Sequence, residues 1–160
     1  MTNLASAFIA WPAALAMAVT LPAAQSVRPR AEVTPIVDSA EAGRNAQVVL
    51  QVRLPHDVHV QANQPKDPSL IATVLTLEPP PGVAVEEITY PPPTDLAQVG
   101  RAEPLAVLGP QFRIEVRLRI AEGTTGDLVV PAVLRYQACT DAVCFPPARA
   151  TTEWRLHLVP

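Results

Sequence analysis

From residue 46 onward, apolar and polar residues exchange places at almost every step. In "QFRIEVRLRI" (111–120), Phe112, Ile114, Val116, Leu118 and Ile120 fall on one side, with Arg113, Glu115, Arg117 and Arg119 on the other. "QVVLQVRLP" sets Val48, Leu50, Val52 and Leu54 mostly against Gln47, Gln51 and Arg53, and "TTEWRLHLV" sets Trp154, Leu156 and Leu158 against Glu153, Arg155 and His157. A period of two means strands with one buried and one wetted face. "LIATVLTLE", "VAVEEITY" and "DLVVPAVLRYQA" are less regular strand candidates. Turn signals separate them: "PHD" at 55–57, "EPPPG" at 78–82, "YPPPT" at 90–94 and "EGTTGD" at 122–127. No long amphipathic helix shows after residue 46.

Half-wetted sheets must bury their apolar faces against each other. The pattern therefore predicts an all-β fold, an antiparallel sandwich of about seven or eight short strands. The 19 prolines fall largely at the joints, where a missing N–H and a fixed φ do least harm. The stretch "TDLAQVGRAEPLAVLGP" (94–110) alternates weakly and reads as a long loop over one end of the sandwich.

The N-terminus differs. Its first 24 residues carry no Asp, Glu, Lys, Arg or His, and small residues surround Ala23, Ala24 and Ser26. Residues 1–26 read as an export signal, with an uncleaved membrane anchor as the rival. Residues 27–45, polar and broken by Pro29 and Pro35, read as a linker, and 46–160 as the domain. Either reading of the N-terminus places the domain outside the cytoplasm, where a disulfide persists. The expected location is the periplasm, with attachment to the inner membrane if the segment is retained.

Composition narrows function mainly by exclusion. A chain of 160 residues holds one domain with a real core. Its net charge of -3, from 12 basic and 15 acidic residues, offers no basic stripe for nucleic acid. There is no phosphate-binding glycine loop, and no Ser/His/Asp spacing that suggests a hydrolase. Asp57, Glu86 and Glu87 read as solvated charges. The Arg113, Arg117 and Arg119 face reads the same way, with an acidic partner as the lesser alternative.

The chemistry rests on "RYQACTDAVCFPP", which holds both cysteines, Cys139 and Cys144, with four residues between them. Three readings stay open on the residues alone. A disulfide closing so short a loop would be a staple of about 2 kcal/mol. A metal site would have only half its tetrahedral set. His56, His59 and His157 stand at no diagnostic spacing from either cysteine, and a lone histidine on a strand is usually just solvated. Soft thiolates would favour Cu(I). The third reading is a redox dithiol. The pair falls where one strand ends and the next begins, so "TDAV" forms the turn and the sulfurs sit near an edge, where disulfides are labile. Asp141, inside the loop, would make the thiolates less available.

"LRYQACTDAVCFPP" resembles the motif of the N-terminal periplasmic domain of the DsbD thiol:disulfide interchange proteins. In that family a Tyr-Gln-small-Cys element precedes a second Cys, an aromatic or aliphatic residue and Pro-Pro. The similarity runs back through "HVQANQPKDPSLIATVLTLEPPPGVAVEEITYP" and covers roughly residues 46–158. It implies an immunoglobulin-like β-sandwich whose cysteine pair passes electrons to oxidised thioredoxin-fold periplasmic proteins. The activity implied is that of a protein-disulfide reductase component, with no cofactor and no metal. By position, Cys144 would attack and form the mixed disulfide and Cys139 would resolve it. Tyr136 and Gln137 would frame the site, while Phe145 and Pro146 would shape the approach surface.

Two departures from the family pattern bear on this. Full-length members continue into membrane and thioredoxin-like domains, so the electron donor here is expected to be a separate membrane or thioredoxin-like protein. The best-known members also cover the pair with a loop that carries an aromatic residue. The corresponding stretch, "DLAQVGR" (95–101), has none, which leaves Leu96 or Val99 as candidate shields. The rival to exchange is a secreted, non-catalytic interaction module in which the disulfide is structural.

Overall fold

The structure, a computed structural model, describes residues 28–158; the expected export signal lies outside them. Eleven strands and no helix are found among the described residues. They are β1 (Glu32–Ser39), β2 (Asn45–Arg53), β3 (His59–Gln61), β4 (Val74–Leu77), β5 (Val83–Thr89), β6 (Thr94–Leu96), β7 (Leu105–Leu108), β8 (Gln111–Ile120), β9 (Gly126–Tyr136), β10 (Ala138–Cys139) and β11 (Ala148–Leu158). One sheet runs β1-β2-β8-β5 and another β11-β9-β4, with every pairing antiparallel. Lettered by place, these orders are A-B-E-D and G-F-C, those of an immunoglobulin constant-type sandwich. The protein has an immunoglobulin-like fold.

The alternating segments form the core as expected. Val48, Leu50 and Val52 of β2 stand opposite Val116, Ile114 and Phe112 of β8. All six are buried, and directly paired side chains share one face of a sheet. Val130, Ala132 and Leu134 of β9, with Trp154, Leu156 and Leu158 of β11, complete the same core. Trp154 is fully buried, and its indole N–H donates to the Val49 carbonyl at 3.1 Å. That bond joins the two sheets while satisfying a polar group that burial would otherwise penalise.

The structure departs from the pattern-based reading in two places. The segment read as a linker contains β1, which pairs with β2 from Glu32↔Arg53 to Ser39↔Gln47. Pro35 is tolerated because β1 is an edge strand, with no ladder on its outer side. The stretch read as one long loop contains β6 and β7, which join β3 and β10 in a third sheet ordered β10-β3-β7-β6. Leu105 to Leu108 of β7 are all buried, so this strand has no wetted face and shows no alternation. The third sheet carries the cysteines.

On the outer face of the first sheet, Arg117 reaches Glu87 at 2.5 Å and Glu86 at 3.4 Å, and Arg119 reaches Glu86 at 3.6 Å. Cross-strand neighbours of opposite sign thus pair with Arg117 and Arg119, and the row, Arg113 included, is solvated.

Candidate functional site

β9 ends at Tyr136, and the chain steps into the short β10 at Ala138–Cys139. It then reverses over Thr140–Val143, the turn expected from "TDAV". The Thr140 hydroxyl accepts from the amides of Ala142 at 3.3 Å and Val143 at 3.2 Å, a local side-chain bond that favours a turn over continued strand. The Thr140 amide donates to the Val143 carbonyl, and the Phe145 amide donates to the Ala138 carbonyl, each at 2.9 Å.

These two bonds bracket Cys139 and Cys144, which face each other as a bridge of the antiparallel kind. Neither cysteine uses its own backbone groups toward the other, so this is the closer, non-hydrogen-bonded type of pair. The Cα atoms are 4.0 Å apart and the sulfurs form a disulfide. The two ends of the bond differ. Cys139 is buried at 1% exposure, whereas Cys144 is exposed on the outer side of the hairpin. An incoming sulfur therefore meets Cys144 first, and access is one of the factors that sets the rate of thiol–disulfide exchange.

The residues expected to frame the site are held by definite contacts. Tyr136 is buried at 2%, and its hydroxyl accepts from the Ala31 amide at 2.7 Å. Gln137 donates from its side-chain nitrogen to the Phe145 carbonyl at 3.0 Å, which ties the segment carrying Cys144 back to the chain before β10. Phe145 is half-buried against the core, and Pro146 is exposed. Pro146 and Pro147 offer no N–H to an approaching strand, and this blunts the edge on which Cys144 stands. Beside it, Arg28, Arg30 and Arg149 rim an open groove of about 470 Å³ floored by Tyr136, Phe145 and Pro146. Val143, next to Cys144, is half-exposed.

The expected shields lie elsewhere. β6 occupies the far edge of the third sheet, with β7 and β3 between it and β10. At the usual strand spacing this places Leu96 roughly 14 Å from Cys139 across the sheet. Val99 is fully exposed and covers nothing. Its loop is tied down away from the pair, where Arg101 meets Asp67 at 2.5 Å and Lys66 meets Asp95 at 2.7 Å. Hydrogen bonds from the Ser69 hydroxyl and amide, and then Arg101, hold the Asp67 carboxyl below its ordinary value.

A residue set aside on sequence grounds stands beside the pair. His59 of β3 is the register partner of Cys139 and is buried at 8% exposure. Burial lowers its pKa below the ordinary imidazole value, opposed by the charge of Asp141. The missed signal lies in "DVHVQA": Val58, Val60 and Ala62 are apolar at every second position, so the segment is a strand, and both its faces are covered. His56, by contrast, is exposed and pairs with Asp57, and His157 is exposed and pairs with Asp127. Among the described residues no cluster of three or more His, Cys, Asp or Glu side chains is placed to hold a metal ion.

The sequence profile of the family described as "Thiol:disulfide interchange protein DsbD, N-terminal" matches residues 23–155. The chain belongs to this family. Among solved structures it is similar to the DsbD N-terminal domain of Neisseria meningitidis in its reduced form. That likeness has 14% identity and a TM-score of 0.45, and covers 78% of this chain and 86% of that one. It is also similar to the GAE domain of GGA2p from Saccharomyces cerevisiae, at 12% identity and a TM-score of 0.43, over 82% of this chain and 92% of that one. No curated protein sequence matches. DsbD N-terminal domains are periplasmic, and their chemistry is thiol–disulfide exchange with thioredoxin-like proteins. Among the described residues no helix is long and apolar enough to cross a membrane.

Proposed function

We propose that this DsbD N-terminal domain passes electrons from a thioredoxin-like donor to oxidised thioredoxin-fold proteins of the periplasm. The observation that carries the reading is the asymmetry of the pair, an exposed Cys144 joined to a buried Cys139 across a tight hairpin at a sheet edge. In the reduced domain, the Cys144 thiolate attacks one sulfur of the partner's disulfide. That bond breaks, its second sulfur leaves as a thiolate, and Cys144 is joined to the partner. Cys139 then attacks the Cys144 sulfur and expels the partner's remaining thiolate. The partner has gained two electrons, and the Cys139–Cys144 disulfide is restored. Phe145, Pro146 and the arginine-rimmed groove form the surface a partner meets, with Tyr136 and Gln137 fixing the hairpin beneath it.

Equilibration in glutathione or dithiothreitol buffers, with alkylation of free thiols and circular dichroism alongside, tests the reading. The pair is expected to titrate reversibly at about -120 to -270 mV, the range of thioredoxin-like proteins, with the fold intact. A Cys139→Ser variant should then hold a partner covalently through Cys144. A disulfide that stays closed until well below about -300 mV, or a domain that unfolds on reduction, makes the bond a staple and the protein a binding module.

A further inference from the structure

Cys144, Cys139 and His59 occupy one row across the third sheet. Cys144 faces Cys139 across the hairpin, and Cys139 is in register with His59 on β3. Paired residues of an antiparallel ladder project to the same face, with Cβ atoms about 4.5–5.5 Å apart. The His59 and Cys139 side chains therefore leave the sheet side by side on one face, with His59 on the side of Cys139 away from Cys144.

Exchange leaves Cys139 with a difficulty. It must become a thiolate to resolve the mixed disulfide, yet it is buried at 1% exposure, and burial disfavours the charged thiolate. An ordinary thiol, with a pKa of about 8.5, is only about 3% ionised at pH 7. A base beside it removes that limit, and a neutral imidazole is the side chain suited to neutral pH.

We propose that His59 is the proton acceptor for Cys139 during resolution, with Asp141 stabilising the imidazolium; this rests on the exchange reading above. The Cys139 thiol gives its proton to His59 as its sulfur attacks Cys144. The bond between Cys144 and the partner breaks, and the electron pair leaves on the partner's sulfur. After resolution the imidazolium gives its proton to solvent; when the domain is recharged, a donor thiolate attacks Cys144, Cys139 leaves as a thiolate, and His59 relays a proton to it from solvent.

The surroundings suit this role. β10 and β7, the strands on either side of β3, carry no Asp, Glu, Lys, Arg or second His. On β6, Asp95 is engaged by Lys66 at 2.7 Å. The chain neighbours His56 and Asp57 are exposed and pair with each other at 2.7 Å. Asp141, in the turn between the cysteines, is the charge that acts on His59, while burial keeps the imidazole neutral at pH 7.

The test is single-turnover closure of the pair in the full chain, with oxidised glutathione as the probe. The reduced protein is mixed with the probe, and release of glutathione from the Cys144 mixed disulfide is followed from pH 5 to 9. Wild type is expected to close at a rate that levels off below pH 7. His59→Asn should close about ten- to thirtyfold more slowly at pH 7, climbing with pH toward the free-thiol value near 8.5. Asp141→Asn, on an exposed turn, should keep the plateau and move the midpoint to lower pH. This second variant tests the idea even if His59→Asn fails to fold. Closure of His59→Asn at the wild-type rate, or an unmoved midpoint in Asp141→Asn, overturns the role of His59. A wild-type pair that never forms the glutathione adduct overturns the exchange reading itself, and the role of His59 with it.

Discussion

The Tyr136 hydroxyl accepts a hydrogen bond from the Ala31 amide at 2.7 Å, joining residues 105 apart in the chain. The contact fixes the segment leading into β1 against the end of β9, one residue before the site-framing Gln137. It also forms one wall of the groove beside the disulfide. Tyr136→Phe keeps the ring in the core and leaves the Ala31 N–H without this acceptor. A lost bond of this type costs about 1 kcal/mol. Urea unfolding should show a drop of that size with an unchanged m-value, and hydrogen exchange at Ala31 should quicken. Unchanged protection at Ala31 would show that the N-terminal segment is held by β1 pairing alone.

Gln61 presents the opposite case. It is fully buried on β3, and neither its side-chain nitrogen nor its oxygen has a hydrogen-bond partner. An unsatisfied buried amide costs roughly 1–3 kcal/mol. Met is unbranched, of similar length and without the amide. Gln61→Met is expected to raise the unfolding free energy by an amount within that range, seen as a higher urea midpoint at an unchanged m-value. A lower midpoint would mean that the amide makes a contact on which the folded state depends.

How much of this was legible in the sequence depended on exposure. β2, β8 and β11 have one dry and one wetted face, and their alternation showed both the strands and the inward residues. β7 and the Val58–Ala62 stretch are covered on both sides: β7 has no polar position to alternate with, and in the other stretch the polar His59 and Gln61 lie on a face that is buried and not wetted. His59 was consequently read as a solvated side chain. β1 was hidden differently: Pro35 breaks a central strand but not an edge strand. The turn over Thr140–Val143 followed from where the pair falls, between the end of one strand and the start of the next. The unequal burial of the two sulfurs did not, because it comes from β3 packing against β10, a pairing of segments about eighty residues apart.

The His59 environment has a consequence for stability. Its folded pKa is depressed by burial, so the unfolded chain binds the proton more readily. Stability from this source is complete above the unfolded value of about 6.5 and declines as pH falls through the lower folded value. Denaturant midpoints between pH 7 and 5 should therefore fall, and His59→Gln should flatten that slope. Asp67, also depressed, acts in a more acidic window, its contribution fading as pH drops below its ordinary 3.8. At the alkaline end Tyr90 has a pKa raised by burial; its contribution is lost as pH rises above its ordinary 10.0. A flat wild-type profile between pH 7 and 5 would mean that His59 is as free to protonate in the fold as outside it.

The disulfide itself is expected to matter little to the fold. Its cysteines are only five positions apart, and chain entropy assigns so short a loop about 2 kcal/mol. The hairpin keeps other ties without it: the Phe145 amide to the Ala138 carbonyl, the Thr140 turn, and Gln137 to the Phe145 carbonyl. The core strands that flank it, β9 and β11, pair over eleven positions from Ala148↔Tyr136 to Leu158↔Gly126, independently of the sulfurs. Replacing both Cys139 and Cys144 by Ser should therefore leave a cooperatively folded domain, lower in unfolding free energy by about that amount. Equilibrium urea unfolding of this variant, with tryptophan fluorescence reporting on buried Trp154, measures the difference. A domain that must cycle between dithiol and disulfide needs both states folded. Loss of cooperative unfolding in the double serine variant would show that this one cannot.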